Sequence, residues 1–108
     1  MRVVHAKLVR DRIPDIIAAQ GGRPVTRVLQ AGEYREALIA KLGEEAKEAA
    51  AAGPAELPGE LADVLEVLRA LAGELGMTWD DLCGLADGKR SQRGGFGGRL
   101  FLAYVEPA

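Results

Sequence analysis

The chain has 108 residues, of which 48% are hydrophobic, 28% are charged and 5% are aromatic. This length predicts one domain over residues 1–108, and the composition is that of a folded chain, which excludes a disordered one. A formal net charge of −2 excludes an overall basic surface for duplex nucleic acid. The single cysteine, Cys83, excludes a disulfide within the chain, and we interpret it as a small buried residue.

The N-terminal segment MRVVHAKLV is rich in β-branched residues and is able to form a short strand. Its charges and its short apolar run exclude a signal peptide or a membrane span, so we expect a cytoplasmic protein with no membrane partner. A short helix should follow. Pro14 is suited to its first turn, Asp15 complements the positive end of its dipole, and Gly21 and Gly22 end it.

Two longer helices are expected next, on either side of the break AAGPAELPG. A brief extended piece around residues 25–29, closed by Gly32, should precede them. The first long helix is predicted from residue 33 to about residue 52, and the second from about residue 58 to residue 75, with Gly76 as its stop. Because the connection is short, the two helices should pack as an antiparallel hairpin.

A last helix is expected from the segment GMTWDDL onward. Thr78 can cap its start, Asp81 can reach back to the cap, and Met77 can pack against Leu82. The helix should end before RGGFGG, after which RLFLAYVE alternates like a strand. These elements predict an all-α fold, a helical bundle whose two chain ends are able to pair as short terminal β-strands.

Acidic residues on the first long helix follow an unexpected pattern. With Leu38 at the centre of the apolar stripe and about 100° per residue, Glu45 falls within about 40° of that centre, where a core residue belongs. An ionised carboxylate in an apolar interior is costly unless it is paired or binds a metal. The periodicity therefore predicts a partner for the charge of Glu45.

The second long helix repeats this pattern. Glu60 lies on its apolar stripe, which comprises Leu61, Val64, Val67, Leu68, Leu71 and Leu75, and Asp63 lies at the edge. The i, i+3 spacing places Glu60 beside Asp63, as it places Glu45 beside Glu48 on the first helix. Two carboxylate pairs would then face each other across the hairpin. Oxygen ligands without His or Cys favour Mg²⁺ or Mn²⁺.

The plainer alternative is that these acids are solvated surface residues. Lys41 and Lys47 are spaced to form ordinary i, i+4 pairs, and either acid pair alone would favour the surface interpretation. The combination favours a metal, because both pairs lie on or beside an apolar stripe with matching spacing across one hairpin.

At these residues the sequence resembles a known superfamily. EEAKE followed by ELAD is similar to the EExxE…ExxD signature of the MazG-like and phosphoribosyl-ATP pyrophosphohydrolase superfamily of all-α nucleotide pyrophosphatases. KLVRDRIP, RVL…EYREAL and RGGF resemble a small branch described as phosphoribosyl-ATP pyrophosphohydrolase-like, over nearly the whole chain. The resemblance implies assembly as a homodimer or homotetramer.

The resemblance also implies a site and a reaction. It would make Glu45, Glu48, Glu60 and Asp63 the Mg²⁺ ligands, with Mn²⁺ as an alternative cofactor. Glu44 and Glu45 would be the catalytic residues. Glu44 would be an additional ligand or the base, although it lies about 100° from Glu45 around the helix. The implied activity is hydrolysis of the α–β phosphoanhydride of a nucleotide to a monophosphate and pyrophosphate.

Phosphate binding requires positive side chains, and the chain offers two basic clusters. The candidates are Lys7, Arg10 and Arg12 near the N-terminus, and Lys89, Arg90 and Arg93 near the end of the last helix. Each cluster has a plainer role as a solvated helix end. Two alternatives to a general nucleoside triphosphate pyrophosphohydrolase stay open: phosphoribosyl-ATP hydrolysis in histidine biosynthesis, and a non-catalytic nucleotide-sensing or oligomerisation module.

Overall fold

Four α-helices form all the regular secondary structure in residues 2–108, the part of the chain that the computed structural model describes. They are α1 Ile13–Ala19, α2 Ala31–Ala51, α3 Leu57–Glu74 and α4 Trp79–Arg93. The prediction of an all-α chain is confirmed. α2 begins before the expected residue 33 because the Glu33 carboxylate accepts a hydrogen bond from the Gln30 N–H (3.5 Å). Gly32 therefore lies inside α2 and does not close an extended piece.

The predicted strands are wrong for this part of the chain. Residues 2–9, 25–29 and 100–105 belong neither to a helix nor to a strand. β-Branched and alternating residues favour extended backbone, but a strand also needs a neighbouring strand for its N–H and C=O groups. No such pairing joins the two ends within residues 2–108.

Local sequence signals set the limits of the helices. Pro14 lies in the first turn of α1, and Gly21 follows that helix with φ +92°. Gly76 follows α3 with φ +73°, a conformation that costs glycine little. At the start of α4 the Thr78 Oγ1 accepts a bond from the Asp81 N–H (3.0 Å), and the Asp81 carboxylate accepts one from the Thr78 N–H (2.9 Å). The predicted cap is confirmed.

α2 and α3 form the central unit of the fold. They pack against each other, and Arg35 near the start of α2 lies 4.0 Å from Glu74 at the end of α3, so the pair is antiparallel. α4 packs more lightly, against α3. Among residues 2–108 the buried hydrophobic residues are Leu38 on α2 and Val67 and Ala72 on α3. The hairpin therefore contains the core.

The predicted apolar stripe of α3 holds only in its middle. Val64, Leu68 and Leu71 are half-buried, whereas Leu61 and Leu75 at the two ends are more than half exposed. The stripe prediction is wrong at Leu61 and Leu75, because nothing in residues 2–108 covers most of these two side chains.

Much apolar surface stays uncovered in the single chain. The radius of gyration is 18.5 Å, whereas a compact chain of this length would have about 13 Å. Phe96, Leu100 and Phe101 are each more than 90% exposed. Cys83, expected to be buried, is a half-buried free thiol.

Candidate metal and phosphate site

Glu45 is the only charged residue that is buried among residues 2–108, with 7% of its surface exposed. It lies on the same face of α2 as Leu38, two turns further along the helix, and that face packs against α3. The prediction that Glu45 points inward is confirmed. Its place on the packed face follows from helical periodicity, because residues seven apart lie nearly above one another.

Two acids of α3 meet Glu45 across the hairpin. One carboxylate oxygen each from Glu45, Glu60 and Asp63 lies within 4.8 Å of the others, and we call these residues the acid triad. Ligands on opposite sides of an octahedral Mg²⁺ would lie about 4.2 Å apart, twice the Mg–O distance. The three oxygens are therefore close enough together for one cation to be shared among them, with at most small side-chain rotations.

Two buried oxygens of the triad have no hydrogen-bond partner within the described chain. They are Oε2 of Glu45 and Oε2 of Glu60. A buried carboxylate oxygen without a donor carries a desolvation cost that nothing offsets. A divalent cation is a partner of the right charge and hardness for such oxygens, so the residues present fit Mg²⁺ or Mn²⁺.

Lys41 balances part of the charge of Glu45 from within α2. Its Nζ lies 3.3 Å from Oε1 of Glu45, and only 18% of its side chain is exposed. Burial raises the pKa of Glu45 above its ordinary value, the neighbouring Glu48 adds to the rise, and Lys41 opposes it. The net rise shows that the lysine does not fully offset the burial of this carboxylate.

Two positive residues near the N-terminus also reach the acids. Arg10 donates from Nη2 to Oδ1 of Asp63 (2.7 Å), and the Lys7 Nζ lies 3.5 Å from Oε1 of Glu44. Beside the triad lies an open cavity of about 240 Å³. Its lining residues are Lys7, Val9, Arg10, Ile13, Lys41, Glu45 and Asp63. One cavity therefore brings carboxylates and cations together.

The remaining predicted site residues lie outside this cavity lining. Glu48 is exposed and is not one of the triad, although it is near enough to influence Glu45. Glu44 lies between Lys7 and Lys41, at 3.5 and 3.6 Å. Arg12 is an exposed residue at the start of α1, and Lys89, Arg90 and Arg93 are exposed on the last turns of α4. The structure thus joins Lys7 and Arg10 to the acids and leaves the other cations apart.

Sequence reasoning underrated Lys41, Val9 and Ile13. The i, i+4 spacing of Lys41 and Glu45 was visible, but it suggested only an ordinary surface pair. Its true setting follows from the burial of Glu45, which brings the lysine to the cavity. Nothing in the sequence marked Val9 and Ile13 as cavity residues, because an apolar residue that lines a charged cavity cannot be told from other apolar residues by its sequence position.

Comparison with known proteins adds little about function. No family model matches the chain. No solved structure matches it. A curated protein of Mycolicibacterium smegmatis, described as an uncharacterized protein, is 57% identical over 47 residues, which are 44% of this chain and 48% of that protein. The match therefore spans about half the length of that relative. Among the described residues, no helix has both the length and the apolar character needed to cross a membrane.

Proposed function

We propose that the chain is a Mg²⁺-dependent nucleotide pyrophosphohydrolase, which cleaves the α–β phosphoanhydride of a nucleoside triphosphate to a monophosphate and pyrophosphate. One observation carries the proposal. The acid triad of Glu45, Glu60 and Asp63 joins two helices, and two of its buried oxygens have no hydrogen-bond partner among residues 2–108.

The neighbouring cations favour a phosphate compound as the substrate. A cluster of acids alone would repel a triphosphate, whereas Lys7 and Arg10 line the same cavity as Glu45 and Asp63. Arginine matches phosphate with its planar fork, and lysine supplies a point charge. Mg²⁺, when bound, would neutralise phosphate oxygens and assist the departure of pyrophosphate.

Each acid has a distinct part in this proposal. Glu45, Glu60 and Asp63 would hold the cation, and Glu48 would join them by turning its exposed side chain inward. Glu44, which is about one-third exposed and is held by two lysines, would orient the attacking water and accept its proton. Glu45 is the second candidate base, through its buried Oε2, which has no hydrogen-bond partner within residues 2–108.

The closest alternative keeps the reaction and changes the substrate to phosphoribosyl-ATP. Pyrophosphate release should be compared for ordinary triphosphates, damaged triphosphates and phosphoribosyl-ATP, each with Mg²⁺, with Mn²⁺ and with a chelator. Turnover that requires the metal and prefers one substrate class would identify the activity. No turnover of any of them would contradict both hydrolase assignments.

A non-catalytic nucleotide-sensing or oligomerisation module is the second candidate. It is favoured by the ion pairs of Arg10 with Asp63 and of Lys41 with Glu45, which already balance two of the three triad charges without a metal. This candidate predicts saturable nucleotide binding without product, and unchanged binding for Glu60→Gln. The hydrolase predicts that Glu60→Gln loses metal-dependent turnover, whereas Glu66→Gln, an acid on the same helix that pairs with Arg69, keeps it.

Assembly as a homodimer or homotetramer is part of the proposal, as is a cytoplasmic location. Its support is the exposed apolar surface of the single chain, including Ile39 and Leu61 on the hairpin and Leu100 and Phe101 near the C-terminus. Sedimentation of the purified chain over a range of concentrations tests it. A monomer at every concentration would contradict the assembly without affecting the site.

A further inference from the structure

The segment of residues 7–10, which we call the N-terminal strap, joins the two helices of the site. Lys7 pairs with Glu44 on α2, and Arg10 pairs with Asp63 on α3. The residue before the strap, Ala6, has φ +47°, a left-handed conformation that is uncommon for alanine. The strap thus leaves a sharp bend and crosses the acids before α1 begins.

Side chains alone attach the strap to the hairpin. Residues 2–9 make no backbone hydrogen bond within the described chain, and the first one in this region joins the Ile13 N–H to the Arg10 carbonyl. The side chains of Lys7 and Arg10 are 44% and 56% exposed. Ion pairs as exposed as these contribute only about 0–1 kcal/mol each. The strap can therefore move without disturbing the core.

Arg10 already bonds to one of the two oxygens of a triad carboxylate. Its guanidinium donates to Oδ1 of Asp63, a residue of the acid triad. A divalent cation at the triad and a guanidinium at hydrogen-bond distance from the same carboxylate would repel each other strongly. The two positive groups therefore compete for Asp63.

We propose that Arg10 leaves Asp63 when the acid triad takes up a divalent cation, and that the released guanidinium then binds a phosphate of the substrate. Arg10 thereby couples metal occupancy to phosphate recognition. The inference rests on the metal site in the proposed function. It adds a movement of Arg10, which metal binding and hydrolysis at that site do not themselves require. Lys7 remains on Glu44 and keeps the strap beside the cavity during the exchange.

The experiment measures two binding events in the same variants of the full chain. Mn²⁺ alone is titrated into wild type, Arg10→Gln and Arg10→Lys, and inorganic pyrophosphate is then titrated at saturating Mg²⁺. Arg23→Gln is the matched control, because Arg23 is an exposed arginine outside the cavity lining. Circular dichroism confirms that each variant keeps its helices.

Opposite changes in the two affinities are expected for Arg10→Gln. Mn²⁺ should bind about three to ten times more tightly, because the competing charge is gone, and pyrophosphate should bind about ten times more weakly. Arg10→Lys should keep Mn²⁺ binding near the wild-type value and recover part of the pyrophosphate binding. Arg23→Gln should change neither affinity.

The alternative results are distinct. Mn²⁺ affinity that is unchanged or weaker in Arg10→Gln overturns the exchange while leaving the metal site intact, and equal losses of both affinities indicate only a structural role. Absence of Mn²⁺ binding in every variant, wild type included, overturns the metal site itself and this inference with it. If Arg10→Gln fails to fold, Arg10→Lys decides: pyrophosphate that binds this variant as tightly as it binds wild type contradicts phosphate recognition by the Arg10 guanidinium.

Discussion

The centre of the α2–α3 hairpin and the C-terminal end of α4 both carry charged residues at helical spacing, but only the first brings them together in a candidate site. In the hairpin, Glu45 is buried and meets Glu60 and Asp63 across the helix pair. At the end of α4, Lys89 and Arg93 stay exposed, and the segment that follows them packs on nothing in the described chain. A pattern of charges becomes a site when a second helix packs against it.

The largest effect should be the loss of turnover when a triad acid is neutralised. Asp63→Asn and Glu45→Gln should lower kcat at least about 100-fold, because a metal site contributes several kcal/mol to the transition state. Asp87→Asn, an exposed acid on α4, is the matched control and should stay within about twofold. Metal-dependent pyrophosphate release measures both. Wild-type turnover in the two triad variants would show that the site is wrongly assigned.

A large effect on stability is expected from the core of the hairpin. Leu38 is 3% exposed, and its substitution by alanine should lower the unfolding free energy of the protein by about 2–5 kcal/mol. Leu100 is 95% exposed, and Leu100→Ala should lower the unfolding free energy of a single chain by at most about 0.5 kcal/mol. Urea unfolding followed by circular dichroism gives both values. A loss of stability in Leu100→Ala that depends on protein concentration would reveal a partner copy that covers Leu100. Equal losses in Leu38→Ala and Leu100→Ala would contradict the difference between the buried hairpin and the exposed C-terminal segment.

A smaller effect should come from the cap of α4. Thr78→Ala removes the acceptor for the Asp81 N–H and should cost about 1 kcal/mol of unfolding free energy. Thr26→Ala, in an exposed segment without helix, is the control and should change little. The same urea titration measures both. Because α4 packs lightly, Thr78→Ala should cost much less unfolding free energy than Leu38→Ala. A cost as large as that of Leu38→Ala would mean that α4 stabilises the hairpin more than its contacts suggest.

The smallest effect should be a pH-dependent difference between wild type and Glu45→Gln. Because burial raises the pKa of Glu45, the folded state binds its proton more tightly than the unfolded state does. This contribution to stability is fully present below the ordinary pKa of glutamate and is lost as pH rises through the raised pKa of Glu45. Without metal, Glu45→Gln should therefore gain stability relative to wild type as pH rises through that interval.

Chelator-treated protein unfolded by urea at several pH values measures this difference. Lys41 opposes the rise, so the gain should stay below the cost of losing a core leucine. A relative gain that grows as pH falls would contradict the sign. Added Mg²⁺ should stabilise wild type more than Glu45→Gln at neutral pH, because only the wild-type carboxylate can bind the cation with a full charge.

Local signals in the sequence predicted much of the fold. The burial of Glu45 and the i, i+3 placement of Glu60 and Asp63 follow from the geometry of a helix, which depends on neighbouring residues only. The cap at Thr78 is equally local, and the short break between the long helices leads directly to a hairpin. The terminal strands were predicted wrongly, because strand formation depends on a partner that a local pattern cannot supply.

Other parts of the site depended on how the helices pack. Glu48 has the same spacing from Glu45 as Asp63 has from Glu60, yet it lies outside the triad. The rotation and the stagger of α2 against α3 decide which acids meet. Neither can be read from the spacing of residues in the sequence. The contact of Arg10 with Asp63 spans 53 positions along the chain, and two equally basic clusters were candidates for it.

The sequence by itself determined the helices, their ends and the inward face that carries Glu45, because backbone hydrogen bonds and side-chain periodicity act within a few residues. Only the tertiary structure decided which acids meet and that Arg10 and Lys41 approach them. Charges separated along the chain interact strongly only where packing brings them within a few ångströms and excludes water.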